Sequence, residues 1–224
     1  MLSRYPIVIL IQVLIMGLMV CTGSAQAGSF YSGAEIGYAS HRFKPEYDYT
    51  YDRTNSEFVN MAYGSEIGWI GGYRFCLNDQ IAAAVQGRFG INTAEWSVDT
   101  PSPSQLNYRI SHVAVISFQP DIAVTKTLSL MLEAGIGQGV IKEKKDAPSS
   151  SRYDFSDWTT GYLAGVGLKY HFVAGVSFFV MYRYMAYDKI DYQTFLPDGT
   201  HWETVSDRPS STTISLGLSW DIGH

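Results

Sequence analysis

The sequence predicts an all-β fold: a transmembrane, closed, up-and-down barrel of eight antiparallel strands, preceded by a cleaved signal peptide. Three observations point there. Eight segments alternate apolar with small or polar residues, the connections between them alternate tight and long, and charges keep to one face of each segment. A period of two marks a β-strand, whose successive side chains point to opposite faces. It is cleanest at the chain's end, with Ile214, Leu216, Leu218, Trp220 and Ile222 on one side and Ser215, Gly217, Ser219 and Asp221 on the other. A soluble sheet turns such an apolar face inward, whereas a membrane barrel turns it out into lipid and fills its lumen with the other face.

The first segment of the chain favours the membrane. Arg4 is the only charge before Glu35, residues 7–20 are apolar apart from Gln12 and Gly17, and Ala25-Gln26-Ala27 offers a small-x-small cleavage site. This pattern predicts a secretory signal peptide over 1–27, cut before Gly28, and a barrel domain over 28–224. A retained anchor fits less well because the apolar run is short for a span. Lipoprotein processing at Cys21 fits less well because Val20 stands where a small residue is wanted. Removing 1–27 takes one of the 16 Lys and Arg residues and none of the 21 Asp and Glu, leaving a net charge of −6. Cys76 is then the lone cysteine, so neither an internal disulfide nor a cysteine-based metal site follows.

The segments recur about every 25 residues. The first, 30–42, sets Phe30, Ala34, Ile36 and Tyr38 on its apolar side, and the second, 62–75, sets Tyr63, Ile67, Trp69, Tyr73 and Phe75 there. In the third, 80–96, the set is Ile81, Ala83, Val85, Phe89 and Ile91. The fourth, 106–123, offers Tyr108, Ile110, Ala114, Ile116, Phe118 and Ile122, interrupted by His112. The fifth, 128–140, carries Leu128, Leu130, Leu132, Ala134, Ile136 and Val140, interrupted by Gln138. Trp158, Tyr162, Ala164, Val166, Leu168, Tyr170 and Phe172 line the sixth; Val176, Phe178, Val180, Tyr182 and Tyr184 line the seventh; the closing stretch is the eighth. A β-bulge would explain either interruption.

The connections at 77–79, 124–126 and 173–175 are tight, as hairpin turns are. Those at 43–61, 97–105, 142–157 and 188–209 are long and polar. Short turns at one end and long loops at the other describe the periplasmic and extracellular ends of an outer-membrane barrel. The inward faces then carry Glu35, Glu66, Arg74, Arg88, Arg109, Asp121, Glu133, Lys169, Arg183 and Asp221. An Arg or Lys facing lipid at mid-bilayer costs about 2–4 kcal/mol, so these residues belong in a lumen where acids and bases pair. The alternative, a solvated face of a soluble sandwich, leaves the many Tyr and Trp without a purpose. Those aromatics fall into two groups by height, as rings do at the two membrane boundaries.

On these features, over about 28–222, the chain resembles the small eight-stranded outer-membrane proteins of the OmpA-like, opacity-type and OmpX/Ail kind. The resemblance implies a monomer embedded in outer-membrane lipid and lipopolysaccharide, with both termini periplasmic. It also implies that the barrel-assembly machinery reads the last strand. Here the chain departs from the pattern: such proteins usually end on an aromatic residue, and Trp220 is followed by Asp221-Ile222-Gly223-His224.

The chemistry-bearing residues do not assemble into a reaction centre. The five His residues are dispersed and none has metal-ligand spacing. His112 with Ser111 and Ser117 is the one hint of a lipid A esterase, and a local bulge or interface residue accounts for it as well. No metal, cofactor, catalytic residue or nucleic-acid partner is expected. The long loops offer two recognition candidates, each with a solvated loop as its alternative. Tyr47, Tyr49 and Tyr51 alternate with acids and give rigid amphipathic contact area for a host or extracellular ligand. Lys142, Lys144 and Lys145 could meet lipopolysaccharide phosphates. The sequence therefore points to a structural or surface-interaction protein, with a small or gated channel as the alternative and a lipid A-modifying enzyme third. An eight-stranded interior is just wide enough for side chains to fill, and Tyr31, Met131, Leu163, Phe179 and Met181 add to the charges there.

Overall fold

A computed structural model describes residues 26–44, 46–49, 59–99, 105–146, 153–173, 175–195 and 201–222. In chain order the strands are β1 (Gln26–Phe43), β2 (Glu46–Tyr49), β3 (Asn60–Cys76), β4 (Ile81–Asn92), β5 (Glu95–Asp99) and β6 (Gln105–Ala123). They continue with β7 (Leu128–Asp146), β8 (Tyr153–Val173), β9 (Val176–Tyr187), β10 (Ile190–Phe195), β11 (His201–Asp207) and β12 (Ser210–Ile222). Eight of them, β1, β3, β4, β6, β7, β8, β9 and β12, pair antiparallel in a ring that β1 and β12 close. β5 prolongs β4 along β6, and β10, β11 and β2 form a separate three-stranded sheet from the first and fourth long connections.

The tilt of the strands follows from the register. Beginning at Phe30, successive partners are Tyr73, Val85, Phe118, Ala134, Ala164, Tyr184 and Thr212, and Thr212 pairs with Ser40. One circuit thus returns to β1 ten residues further on, from 30 to 40. With strands about 4.8 Å apart and about 3.3 Å of rise per residue, that offset means a tilt of about 40°. Each strand crossed raises a register line by about 3 Å, and each residue along a strand climbs about 2.5 Å.

On that scale the outer wall is apolar over about 25 Å, from Phe172 and Ile81 at the short-turn end to Tyr38, Ile91 and Tyr162, which is the height of a barrel's lipid-facing band. Immediately above it, six of the eight strands turn a polar side chain outward, namely Ser40, Ser65, His112, Gln138, Thr160 and Thr212, and Thr93 does so just past the end of β4. His112 and Gln138 are therefore not flaws in the apolar ladder; they belong to a belt where the band ends. Aromatic rings gather at the lower edge, where Phe30 and Tyr73 meet edge-on at 4.8 Å and Tyr73 and Phe75 at 4.9 Å. Trp69 and Phe118 sit above that ring, within the band.

Two local departures reshape the long-connection end. Ser111 and His112 of β6 oppose the single residue Val140 of β7, a β-bulge. The extra residue reverses the alternation above it, so Tyr108 and Ile110, expected on the outer wall, point inward at 1% and 0% exposure. In the third strand the ladder breaks after Asn92, whose side-chain carbonyl accepts the Ala94 N–H at 2.8 Å and so diverts a donor from the sheet. At the opposite end, the tight turn between β8 and β9 has Gly175 at φ 78°, the left-handed conformation that glycine adopts without steric cost.

The belt makes a testable claim about depth. Leu218→Arg, near the middle of the band, is expected to cost about 2–4 kcal/mol of folding free energy, and Ser65→Arg about 0–1 kcal/mol. Urea titrations of protein folded into lipid vesicles measure both, and equal costs would place the belt inside the hydrocarbon.

Candidate functional site: the barrel interior

The interior is layered. At the short-turn mouth, Arg74 pairs with Asp221 at 2.9 Å and lies 3.9 Å from Asp121, which also binds Lys169. Gln119 donates to Asp121 at 2.9 Å, and the Arg74 guanidinium stacks 4.9 Å above the Tyr31 ring. His171 sits between two hydroxyls, Ser177 at 2.9 Å and Ser129 at 3.3 Å.

The middle layer is a string of alternating charge, Glu133–Arg183–Glu35–Arg88–Glu66. Arg183 holds Glu133 at 2.7 Å and Glu35 at 2.9 Å, Arg88 holds Glu35 at 2.5 Å, and the other end of Arg88 binds Glu66. These side chains are at most 3% exposed. The remaining carboxylate lone pairs are also occupied: Ser117 donates to Glu133 at 2.7 Å, and Asn92 to Glu66 at 3.2 Å. Full pairing is what burial demands, because an uncompensated buried ion is far more costly than an exposed one. Glycines supply the room. A β-carbon at Gly68 would stand 2.9 Å from the Glu35 side chain, and one at Gly139 would stand 2.6 Å from the Tyr187 ring. Between the two charged layers a cavity of about 10 Å³, bordered by Tyr31, Gln86, Met131, Phe179 and Met181, has space for about one water.

Above the middle layer the interior turns apolar. Phe43, Tyr108, Ile110, Ile141, Met185 and Tyr187 are among the buried residues of one cluster there. The Phe43 and Tyr108 rings meet tilted at 34°, with 5.1 Å between their centres. Only part of this upper core follows from the alternation along single strands. Part of the signal was present, since Val113, Val115, Leu163 and Met185 occupy inward positions of the predicted register. Tyr108 and Ile110 join it through the bulge at Ser111–His112, where the interruption at His112 had marked a place for one.

Nine of the ten charges expected inside are placed in the two charged layers: Glu35, Glu66, Arg74, Arg88, Asp121, Glu133, Lys169, Arg183 and Asp221. Arg109 is not. The bulge turns it to the outer wall opposite Lys142 and Glu95, where its Nη2 donates to the Asn92 carbonyl at 3.2 Å. Lys142 is exposed on the same face. The side chains of Tyr47, Tyr49, Lys144 and Lys145, the whole of Tyr51, and residues 1–25 of the leader expected over 1–27 lie outside the described residues, while Gln26 and Ala27 begin β1. Tyr47 and Tyr49 belong to the backbone of β2, and Lys144 and Lys145 to that of β7. Of the suspected esterase residues, His112 Nδ1 lies 3.0 Å from Ser111 Oγ, but Ser117 faces inward to Glu133. Among the described residues no three His, Cys, Asp or Glu side chains converge on a metal-sized site.

Comparison with known proteins gives this architecture a family. Residues 13–221 match the family model of the outer membrane protein beta-barrel domain. The chain is similar to Neisserial surface protein A, with 16% identity over 88% of this chain and 100% of that one and a TM-score of 0.52. It is also similar to Ail, the attachment invasion locus protein of Yersinia pestis, in a complex with the heparin analogue sucrose octasulfate. There the identity is 16% over 87% of this chain and 99% of that one, and the TM-score is 0.44. The outer membrane protease OmpT of Escherichia coli aligns at 9% identity over 91% of this chain and 100% of that one, with a TM-score of 0.49. No curated protein sequence matches the chain.

The string of charges predicts strong coupling. Arg183→Gln leaves Glu133 without a cation and is expected to cost about 3–5 kcal/mol. Adding Glu133→Gln is expected to recover part of that loss. Denaturation of both single variants and the double variant reads the coupling, and strictly additive costs would show that the pair does not interact.

Proposed function

Since the chain belongs to the outer membrane protein β-barrel family, and is thus an integral outer-membrane barrel, we propose that it works as a surface-interaction protein rather than as a pore or an enzyme. In this reading a leader over 1–27 is removed, both termini lie in the periplasm, and the four long connections face the outside of the cell. The barrel is a monomer that the assembly machinery recognises through β12, with no cofactor. Its partners are outer-membrane lipid, lipopolysaccharide and a host or extracellular ligand at the loops.

One observation supports the proposal: among the described residues, paired charges occupy the mouth and middle of the interior and apolar side chains pack above them. A cavity with space for about one water gives no continuous path for a solute. What distinguishes the molecule then lies outside the band. The first and fourth connections are tied together there, since β2 pairs with β11 from Glu46–Ser206 to Tyr49–Glu203. That pairing holds Tyr47 and Tyr49 on an ordered sheet, which suits a recognition surface better than a free loop does. An enzymatic reading has less support. Ser111 is 2% exposed, and among the described residues no carboxylate hydrogen-bonds His112 to complete a nucleophilic triad.

Purified protein in planar bilayers is expected to pass no steady current of porin size, and such a current would overturn the filled interior. Replacing the connection over 44–59 by a short turn is expected to abolish binding to host cells or serum components while the barrel still shifts in mobility on boiling. Unaltered binding would count against recognition by that connection.

A further inference from the structure

We infer that Arg109 and Lys142 form a seat for the phosphate of a membrane-lipid headgroup on the outer wall, at the long-connection end. The inference rests on the membrane orientation proposed above and adds to it a place and a ligand chemistry.

The register puts the two cations directly opposite each other on β6 and β7, on the same outward face. Facing like charges across a strand pair are destabilising, so the arrangement needs a compensating anion. Glu95 is the cross-strand neighbour of Arg109 on the other side, yet it forms no ion pair with it. Among the described residues neither cation has a carboxylate partner. Arg109 is also incompletely satisfied. Its Nη2 is fixed on the Asn92 carbonyl, while its Nε is buried and without a hydrogen-bond partner among the described residues.

Height identifies the source of the anion. The pair stands about 8–11 Å above the upper edge of the apolar band, with His112 and Gln138 of the polar belt between. A headgroup layer is roughly 5–8 Å thick on each side of the hydrocarbon, and long basic side chains reach back toward it. Ser156, opposite Lys142, adds a hydroxyl for a polar or sugar headgroup. Below, Ile116 and Ile136 pair on the outer wall and give a surface for acyl chains. A soluble phosphate would use only the charges; a phosphorylated lipid uses the charges, the belt and the apolar wall together. The bulge at Ser111–His112 makes the seat, because without its extra residue Arg109 would point into the lumen.

The test uses full-length protein in phosphatidylcholine nanodiscs doped with phosphorylated lipid A, with retained lipid counted by native mass spectrometry. Wild type is expected to retain the lipid, and Arg109→Gln/Lys142→Gln to retain it at least about tenfold less, because both charge-assisted contacts are lost. Lys126→Gln, at the opposite end of the barrel, is expected to behave as wild type. Retention by the double variant equal to wild type would overturn the seat. Equal retention of dephosphorylated lipid A would overturn the phosphate chemistry, and displacement by millimolar inorganic phosphate would overturn the lipid as its source. Boiling-shift electrophoresis confirms that each variant is folded. Loop recognition is read separately by the connection replacement, so failure of the seat leaves that reading standing.

Discussion

The rest of the structure depends on one constraint: in hydrocarbon the backbone has no water to bond, so the sheet must close on itself. β1 and β12 meet without interruption from Phe30–Ile222 to Arg42–Ser210, and this seam removes the last open edge. Closing eight strands with an offset of ten residues sets their tilt, and strand number with tilt sets the width of the lumen. That width decides which side chains can stand inside. Glycine at positions such as 68 and 139 and long residues such as Glu35 and Tyr187 are two halves of one packing solution.

The lumen is filled in two chemically different ways, and the order is informative. In the lower and middle layers, long charged residues span the space and neutralise one another. Five acids and four bases lie there, with hydroxyls and amides taking the remaining lone pairs. In the upper layer the same volume is taken mostly by aromatic and aliphatic groups, with the phenols of Tyr108 and Tyr187 among them. A charged plug is held by geometry and resists replacement one residue at a time, since removing one ion strands another. An apolar plug tolerates volume-conserving change. Together they give the interior two kinds of packing that respond differently to substitution.

Much of this was legible in the sequence because period-two alternation is a local property. The ladder from Ile214 to Ile222, the sorting of tight and long connections, and the inward placement of nine charges all follow from counting along single strands. What could not be read depended on pairing between strands. The interruption at His112 marked where a bulge in β6 could lie, but only the pairing against the single opposing Val140 shows that it exists and that it moved Tyr108 and Ile110 inward and Arg109 outward. The polar belt was hidden for the same reason. His112 and Gln138 looked like separate interruptions until the register placed them at one height with Ser40, Ser65, Thr93, Thr160 and Thr212. The pairing of β2 with β11 joins residues more than 150 positions apart, beyond the reach of any local pattern.

The irregularities also have a common location. Register shifts occur at Gln26/Ser29 and His171/Val173, at the short-turn end, and at Ile110/Val113 and Thr194/Phe195, toward the long connections. None falls between the lower aromatic ring and the polar belt. Within the band a bulge would leave backbone groups unsatisfied in lipid, at a cost of several kcal/mol each. Above the belt, headgroups and water can satisfy them, so the chain is free to kink, extend and re-aim side chains. The bulge at Ser111–His112 lies at the first height where that freedom begins. The constraint that makes the barrel wall uniform therefore also fixes where this chain can build something particular, and its first departure from regularity is the one that turns a basic residue toward the membrane surface.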